Sequence, residues 1–556
     1  MRVLFVYNEV ESLALQYLSK ALREAGHTTG LVFDPKLFDS FRKEYNVVPG
    51  LQRFFSMKEM IKERIAEFRP DIVGFTVLTP NFGWCQAWAR EIKALVPGVK
   101  IVGGGYHCSA AAKDVLGTGL FDYAFRGEVE HQFVRFVNSL ADGEPDLDTP
   151  NLAYKRPGSG EYVENPLLPY EGDTDVFGFP DKDLFAGMGP PFNLGHLIHF
   201  NRGCPWGCTF CGNNKYRKMY FPDRKDYMFT RDFLRMRSVD HALSEMRWLK
   251  QNYGGGLLRV NDDDLTADEE WLRQMAERMT DAERMPFKCF VIPNNVNERT
   301  VKYLKQMGCE QIQMGVQSLT AKTRQMIGRP NTDRQIAKAV DLIREAGIGL
   351  YVDQIFGMPW EGAEDAAKTE QFYIDHPADF VSIYWLDVWA GSDMLDQAVA
   401  NGMIGQEEAD AIGATIREGC ISTKREWHAD FMRPYAGRIN VRNYFPGAGE
   451  FLIRTGLWKV VDKLNLCRWK RLWWALKNSL RTQHYPPARE GYDFSWIRFP
   501  RMVKFYAGLR LRRMFSKRVK APMTELPPLG TPYEDRVKPD APRTPDAVPE
   551  PVESAA

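Results

Sequence analysis

Cys204, Cys208 and Cys211 stand in a C-x3-C-x2-C spacing inside the segment HFNRGCPWGCTFCG (199–212). Its glycines and proline let a compact loop turn three thiolates onto three corners of an iron–sulfur cube, leaving the fourth iron without a protein ligand. Such an iron can chelate the amino and carboxylate groups of S-adenosylmethionine, whose reductive cleavage gives methionine and a 5′-deoxyadenosyl radical. The same thiols could instead hold zinc, with His196 or His199 as fourth ligand. The other six cysteines (Cys85, Cys108, Cys289, Cys309, Cys420, Cys467) are scattered singly and read as small core hydrophobes.

A second set of residues precedes these. Val3–Tyr7, Ile72–Val77 and Lys100–Val102 read as buried strands, with helical patterns over Leu13–Leu22, closed by Gly26, and over Gln86–Leu95. Strand, helix and strand in repetition predict a doubly wound parallel sheet, whose ligands bind beyond the carboxyl ends of its strands. Those ends carry Asn8-Glu9, Thr76-Val77-Leu78-Thr79, Gly103-Gly104-Gly105 and Arg126-Gly127-Glu128. Glycines at 103–105 would admit a bulky ligand close to the backbone, and would serve equally as turn glycines.

Residues 196–390 repeat strand–helix units. Leu257–Val260 ends at Asn261-Asp262-Asp263-Asp264 and leads into a helix over Ala267–Met279. Phe287–Ile292, Gln311–Val316, Leu350–Phe356 and Val381–Trp385 follow, with helices over Glu298–Met307 and Arg334–Ala346. The series predicts an incomplete β/α barrel with polar strand ends, among them Asp262, Asp263 and Gln317, on one active face. Carboxylates there could equally cap helices.

Thr76-Val77-Leu78 followed by Gly103-Gly104 resembles the Ser/Thr-x-Leu and Gly-Gly elements of cobalamin-binding domains. Gly104-Gly105-Tyr106-His107 and Gly127-Glu128-Val129-Glu130 resemble the version of that domain that precedes a radical enzyme core. Over about residues 1–395 the chain is similar to the cobalamin-dependent branch of the radical S-adenosylmethionine superfamily, through the cysteine motif, the Asp-Asp strand end, Gly315-Val316-Gln317-Ser318 and Gly357-Met358-Pro359. The resemblance implies a [4Fe–4S] cluster on Cys204, Cys208 and Cys211, and S-adenosylmethionine held by Phe210, Asp263 and Gln317. It implies cobalamin held by Thr76, Leu78, Gly103, Gly104, His107, Gly127 and Glu128. The family's Asp-x-His-x-x-Gly element, whose His coordinates cobalt from below, has no counterpart near Asn8–Gly26. Cobalamin without a lower His ligand is therefore implied, with His107 hydrogen-bonding a cofactor amide or the backbone. Gln317 stands where relatives usually carry Glu; an amide can bond a ribose but carries no charge.

The 556 residues include 73 Lys/Arg and 72 Asp/Glu, so no global field recruits nucleic acid, which is not an expected partner. No apolar run approaches the ~18 residues of a spanning helix, and Met1–Glu9 turns polar too soon for a signal peptide. A cytoplasmic protein is expected. Residues 465–520 concentrate 15 Lys/Arg against 2 Asp/Glu. There Trp469, Leu472, Trp473, Leu476 and Leu480 would share a helical face bordered by Arg468, Lys470, Arg471, Lys477 and Arg481. The stretch reads as a docking helix, or as attachment to an anionic membrane at the cytoplasmic face, or as capture of a lipid-like substrate. The last 36 residues hold 9 of the 34 prolines and read as a disordered tail. The expected organisation is therefore a cobalamin-binding domain (1–140), a linker (141–195), a partial barrel (196–395), a helical region (396–520) and a tail (521–556). The expected reaction is methylation of an unactivated carbon of a small-molecule or lipid-like substrate, with electrons from a flavodoxin or ferredoxin. A cobalamin-dependent radical cyclase or rearrangement enzyme, and a non-catalytic cobalamin and iron–sulfur sensor, are the alternatives.

Overall fold

The computed structural model describes the chain apart from residues 9–10, 38–50, 190–191, 193–194, 225–230, 255, 359, 387, 403, 414–425, 472, 474–499 and 530–556. Its first layer is built on β1 (Arg2–Tyr7), β2 (Thr28–Phe33), β3 (Ile72–Thr76), β4 (Lys100–Gly104) and β5 (Tyr123–Phe125). These five run parallel in the order β2-β1-β3-β4-β5. The strands are apolar almost throughout because helices cover both faces. The order reverses between β1 and β3, which opens a crevice at their carboxyl ends.

The sheet extends beyond the expected boundaries at both edges. β6 (Leu152–Lys155) adds antiparallel to β5 and β7 (Tyr162–Glu164) antiparallel to β6, so part of the expected linker belongs to the first domain. After β8 (Gly195–Ile198), a two-stranded ribbon of β9 (Asn201–Arg202) and β10 (Arg235–Met236) flanks the cysteine loop. β11 (Leu257–Val260), β12 (Phe287–Val291), β13 (Cys309–Gln317), β14 (Gly349–Phe356) and β15 (Phe380–Trp385) complete the second sheet. Together with β8 they form six parallel strands in the order β8-β11-β12-β13-β14-β15, an open barrel as expected. Its helices sit outside; Ile336, Ala339, Val340 and Ile343 are fully buried in a core with Ile312, Met314 and Val316.

The tail also departs from expectation. Residues 523–526 form β16 (Met523–Leu526), antiparallel to β2, with Thr524 and Leu526 buried. Pro522, Pro527 and Pro528 flank this strand rather than interrupt it, so a proline-rich composition hides a short edge-covering strand. The preceding stretch docks too: the Tyr506 hydroxyl donates to the Met188 carbonyl at 2.6 Å, and its ring lies 5.9 Å from Phe33. Of the expected basic helix, Leu472, Leu476, Lys477, Leu480 and Arg481 lie outside the described residues, as does the rest of the tail beyond 529.

The two sheets are joined by a buried charge cluster. Glu11 accepts hydrogen bonds from Lys182 Nζ (2.9 Å), Gln16 Nε2 (3.0 Å), the Leu197 amide (3.0 Å) and Arg259 Nη2 (3.0 Å). Burial alone would raise its pKa, but Lys182 and Arg259 outweigh burial and hold the carboxyl at about 2. Because the folded-state pKa is depressed, its contribution is complete above the ordinary carboxylate range and is lost as pH falls toward 2. Glu11→Ala strands two buried cations and is expected to cost about 3–5 kcal/mol in denaturant unfolding, with a weaker acid dependence. A variant within about 0.5 kcal/mol of the parent would show that the cluster holds nothing together.

Candidate functional site

The cysteine loop leaves β9 and runs into the helix Gly212–Tyr220. Cys204 and Cys208 are buried and Cys211 half-buried, in one cluster with Trp206, Ile292 and the partly buried Phe210. The groups acting on these thiols are Asp263, Arg329 and the thiols themselves. Burial pushes the Cys211 thiol up to about 12; Asp263 adds to the rise and Arg329 opposes it. Arg329 Nε donates to Cys208 Sγ at 3.1 Å and Nη1 to the Gly315 carbonyl at 2.8 Å, with its guanidinium 5.9 Å from the Phe210 ring. The chain reaches Arg329 through Gly328, at φ +77°, where a Cβ would stand 2.7 Å from the Gly207 carbonyl oxygen. Only glycine tolerates that approach. The two histidines that could be a fourth ligand for zinc pack on tyrosines: the ring of His199 meets Tyr17 at 5.4 Å, and that of His196 meets Tyr253 at 5.8 Å.

The three aspartates at the end of β11 divide their work. Asp262 is buried, and its Oδ1 accepts from the amides of Phe200 (2.7 Å) and Asn201 (3.2 Å). Burial pushes its carboxyl up to about 8. Asp264 caps the following turn, accepting from the Thr266 amide at 3.1 Å and from Asn295 Nδ2 at 2.6 Å. Asp263 is the exposed one, held by Asn213 Nδ2 at 2.7 Å beside the cysteine loop. So the capping reading applies to Asp264, while Asp262 ties the loop after β8 to the barrel. Gln317 ends β13 in the left-handed region at φ +68°, where the register against β14 shifts. A non-glycine residue there is strained, and such outliers cluster at sites of function. Its carbonyl accepts from Gln354 Nε2 at 2.8 Å, and its own Nε2 lies 2.8 Å from where a Gly315 Cβ would stand. Gln317 and Arg329 therefore flank Gly315, which has no room for a side chain. Pro359, from the last barrel motif, lies outside the described residues.

On the first domain, Thr76 and Leu78 are half-buried at the end of β3, where Asn81 accepts from the Leu78 amide at 2.8 Å and donates to the Thr76 carbonyl at 3.1 Å. Beside them, at the end of β1, Asn8 Oδ1 is buried with no hydrogen-bond partner among the described residues. Gly104 faces open space, with nothing within 4 Å of a built Cβ. The other expected cobalamin contacts meet protein instead. A Cβ on Gly103 would stand 2.9 Å from Cys108 Sγ, so this glycine serves packing. His107 is fully buried, 3.1 Å from Thr79 Oγ1 through Nδ1, its ring tilted against Phe82 at 4.6 Å between centroids. Gly127 lies against the Tyr220 hydroxyl, which accepts from the Glu128 amide at 2.8 Å; the Glu128 carboxylate accepts from Arg235 Nη1 at 2.9 Å. Gly127 and Glu128 thus lie at the contact between the two domains.

Tyr106 closes that contact. It opens the helix after β4, packs against Gly212 at the end of the cysteine loop, and donates to the Ala390 carbonyl at 3.0 Å. The carboxyl ends of the first sheet therefore face the cysteine loop and the open end of the barrel. Arg329 has no place in the sequence reading, and Tyr106 stands there only within the Gly104–His107 motif, without a role. Gly328-Arg329-Pro330 after a barrel helix was the available local signal for the first, and a tyrosine directly after the glycine run for the second.

The B12 binding domain model matches residues 2–137, and the Radical SAM superfamily model matches residues 198–373. The chain belongs to the cobalamin-binding radical SAM enzymes. An uncharacterised methyltransferase of Pyrococcus horikoshii is 24% identical over 73% of this chain and 84% of its own length. The anaerobic magnesium-protoporphyrin IX monomethyl ester cyclase of Rubrivivax gelatinosus is 23% identical over 71% of this chain and 70% of its own. Among solved structures, the radical S-adenosylmethionine methyltransferase TsrM from Kitasatospora setae, with cobalamin and a [4Fe–4S] cluster bound, shares the fold at TM-score 0.55 and 18% identity, over 71% of this chain and 75% of that one. The cofactors of this radical SAM enzyme are a [4Fe–4S] cluster, S-adenosylmethionine and cobalamin. The residues present fit these groups. Of the three thiols in one cluster Cys208 meets a guanidinium, buried Thr209 Oγ1 and Asn214 Oδ1 beside the loop lack partners among the described residues, and Gly104 and Asn8 leave an open polar cradle.

Proposed function

We propose that this radical SAM enzyme is a methyltransferase acting on an unactivated carbon of a small-molecule or lipid-like substrate. The observation that carries the reading is the juxtaposition at Tyr106 and Gly212, which turns the open cradle of the first sheet toward the cysteine loop. The similarity to the Pyrococcus methyltransferase over most of both chains supports the choice of reaction. When bound, the cluster with S-adenosylmethionine supplies a radical that removes hydrogen from carbon, and cobalamin supplies the methyl group.

The residues have these roles in the proposal. Cys204, Cys208 and Cys211 hold the cluster, and Arg329 donates to the thiolate of Cys208. Phe210 lies against the adenine, while Asp263 and Gln317 hold the methionine or ribose part of S-adenosylmethionine. Thr76, Leu78 and Gly104 border the cobalamin. Gly103, His107, Gly127 and Glu128 shape that border from behind and join it to the barrel. An unactivated carbon is no nucleophile, so the chain's task is alignment: it must hold methyl donor, substrate carbon and radical source in line and exclude water and stray hydrogen donors. Tyr106, Trp389 and Tyr216 form the aromatic wall that closes the side of that space. No described helix is long and apolar enough to cross a membrane. A cytoplasmic location, electrons from a flavodoxin or ferredoxin, and peripheral membrane contact through residues 465–520 complete the proposal.

The cyclase relative favours a second reading, a radical cyclisation or rearrangement, because it covers nearly as much of this chain. An anaerobic assay that counts S-adenosylhomocysteine and 5′-deoxyadenosine separates the two.

A further inference from the structure

The region after the barrel has one face in the core and one in solvent. Helices Gly449–Arg454 and Trp458–Lys463, with the helical residues 466–471, lie along the long helix Glu426–Tyr444. Their inner face is settled: Trp458 and Val461 are buried with Val441, and Leu452, Ile453 and Cys467 pack against them. The outer face is apolar as well. Phe451, Leu457, Val460, Leu464, Trp469 and Trp473 are all exposed, the two indoles by 53% and 59%. Six Lys/Arg against two acidic residues lie within 450–473. Of these, Lys459 and Lys463 are exposed between the apolar side chains.

We infer that this face, carrying Phe451, Leu457, Val460, Leu464 and Trp469 with Trp473 beyond them, is where the enzyme seats on an anionic lipid bilayer. Exposed apolar side chains interspersed with cations such as Lys459 and Lys463 are what an interfacial surface needs. Indoles prefer the headgroup level, where their apolar body and polar N–H are both accommodated. Lysines beside them meet anionic headgroups, whose attraction is screened by salt. The charge sign favours a bilayer over a second copy of the chain, since two such faces would oppose cation to cation. The inference rests on the membrane reading above but relocates it. The second basic stretch, 501–520, is anchored on the first domain, since Arg513 pairs with Glu63, Lys520 with Glu67 at 2.8 Å, and Tyr506 is fully buried, while Leu511, Met514 and Phe515 stay exposed, the first two serving as control positions.

The test uses the full-length holoenzyme and two sets of vesicles, mixed phosphatidylcholine–phosphatidylglycerol and pure phosphatidylcholine. The parent is expected to sediment with the mixed vesicles at low salt and to release at high salt. Trp469→Ala/Trp473→Ala is expected to weaken that partitioning about tenfold or more, with cluster absorbance and circular dichroism unchanged. A control, Leu511→Ser/Met514→Ser on the helix Gly508–Phe515, is expected to bind as the parent does. If the control loses binding and the tryptophan variant keeps it, this inference fails while membrane contact through 465–520 stands. If no form binds either vesicle, both fail. A parent that dimerises through tryptophans 469 and 473 without binding vesicles would also overturn the inference.

Discussion

Alanine at Cys204, Cys208 and Cys211 together is expected to abolish the visible absorption of the cluster and all cleavage of S-adenosylmethionine. The loss is total because the loop 204–211 holds no other side chain that could bind iron as a thiolate. Cys208→Ala alone has a second consequence. It removes the acceptor of Arg329 Nε and leaves a buried guanidinium with the Gly315 carbonyl and the Phe210 ring. Leaving a buried charged donor unpaired costs about 1–3 kcal/mol or more, so this single variant should also unfold at lower denaturant than Cys211→Ala. Iron quantification, absorbance and a cleavage assay check the prediction. A full complement of iron in the triple variant, or one tightly held zinc in anaerobically purified parent, would refute the cluster assignment.

Gly104→Leu is expected to lower retained cobalamin at least about tenfold, equivalent to about 1.4 kcal/mol, while leaving thermal unfolding near that of the parent. The separation of the two effects follows from geometry: a side chain at 104 enters open space, so it displaces a ligand and not protein. Gly103→Val is the contrast. Its Cβ would crowd Cys108 Sγ and the Phe121 ring, so that variant should lose stability along with cobalamin. With His107 enclosed beside Thr79 and Phe82, the cobalt(II) spectrum of the parent should carry no splitting from a protein nitrogen. Cobalamin per chain after desalting, with paramagnetic resonance of the bound state, reads both points. Parent-like cobalamin content in Gly104→Leu would place the cofactor elsewhere.

Most of the barrel was legible because its strands are mainly short apolar runs followed by a helix with a clear stop. Glu298–Met307 ends at Gly308 in the left-handed conformation, and Asp333–Glu345 is capped by Thr332, as local signals indicate. The strands at the edges of the first sheet were not legible. β16 is four residues between prolines, and only its pairing with β2 makes it a strand. β2 itself, TTGLVF, is no shorter than β3 but opens on two threonines and a glycine, which dilute its apolar run. Site residues divide the same way. Cys204, Cys208 and Cys211 are neighbours in sequence, so spacing alone brought them together. Arg329 reaches Cys208 across 121 positions, and the Tyr106 hydroxyl reaches Ala390 across 284; no local pattern encodes either contact. Gly103 and Gly104 show the finest limit. They look alike in sequence, but one is filled by Cys108 and the other is open, a difference set by side-chain packing around the sheet.

The most direct measurement of the central claim is the product count per turnover. Holoenzyme is incubated anaerobically with S-adenosylmethionine, reductant and extract of the native organism, and S-adenosylhomocysteine and 5′-deoxyadenosine are quantified together. A methyltransferase of the proposed kind yields the two in equal amounts, both dependent on the extract and both lost in the triple cysteine variant. Accumulation of 5′-deoxyadenosine with S-adenosylhomocysteine at background would contradict methyl transfer and leave the cyclisation or rearrangement reading in its place.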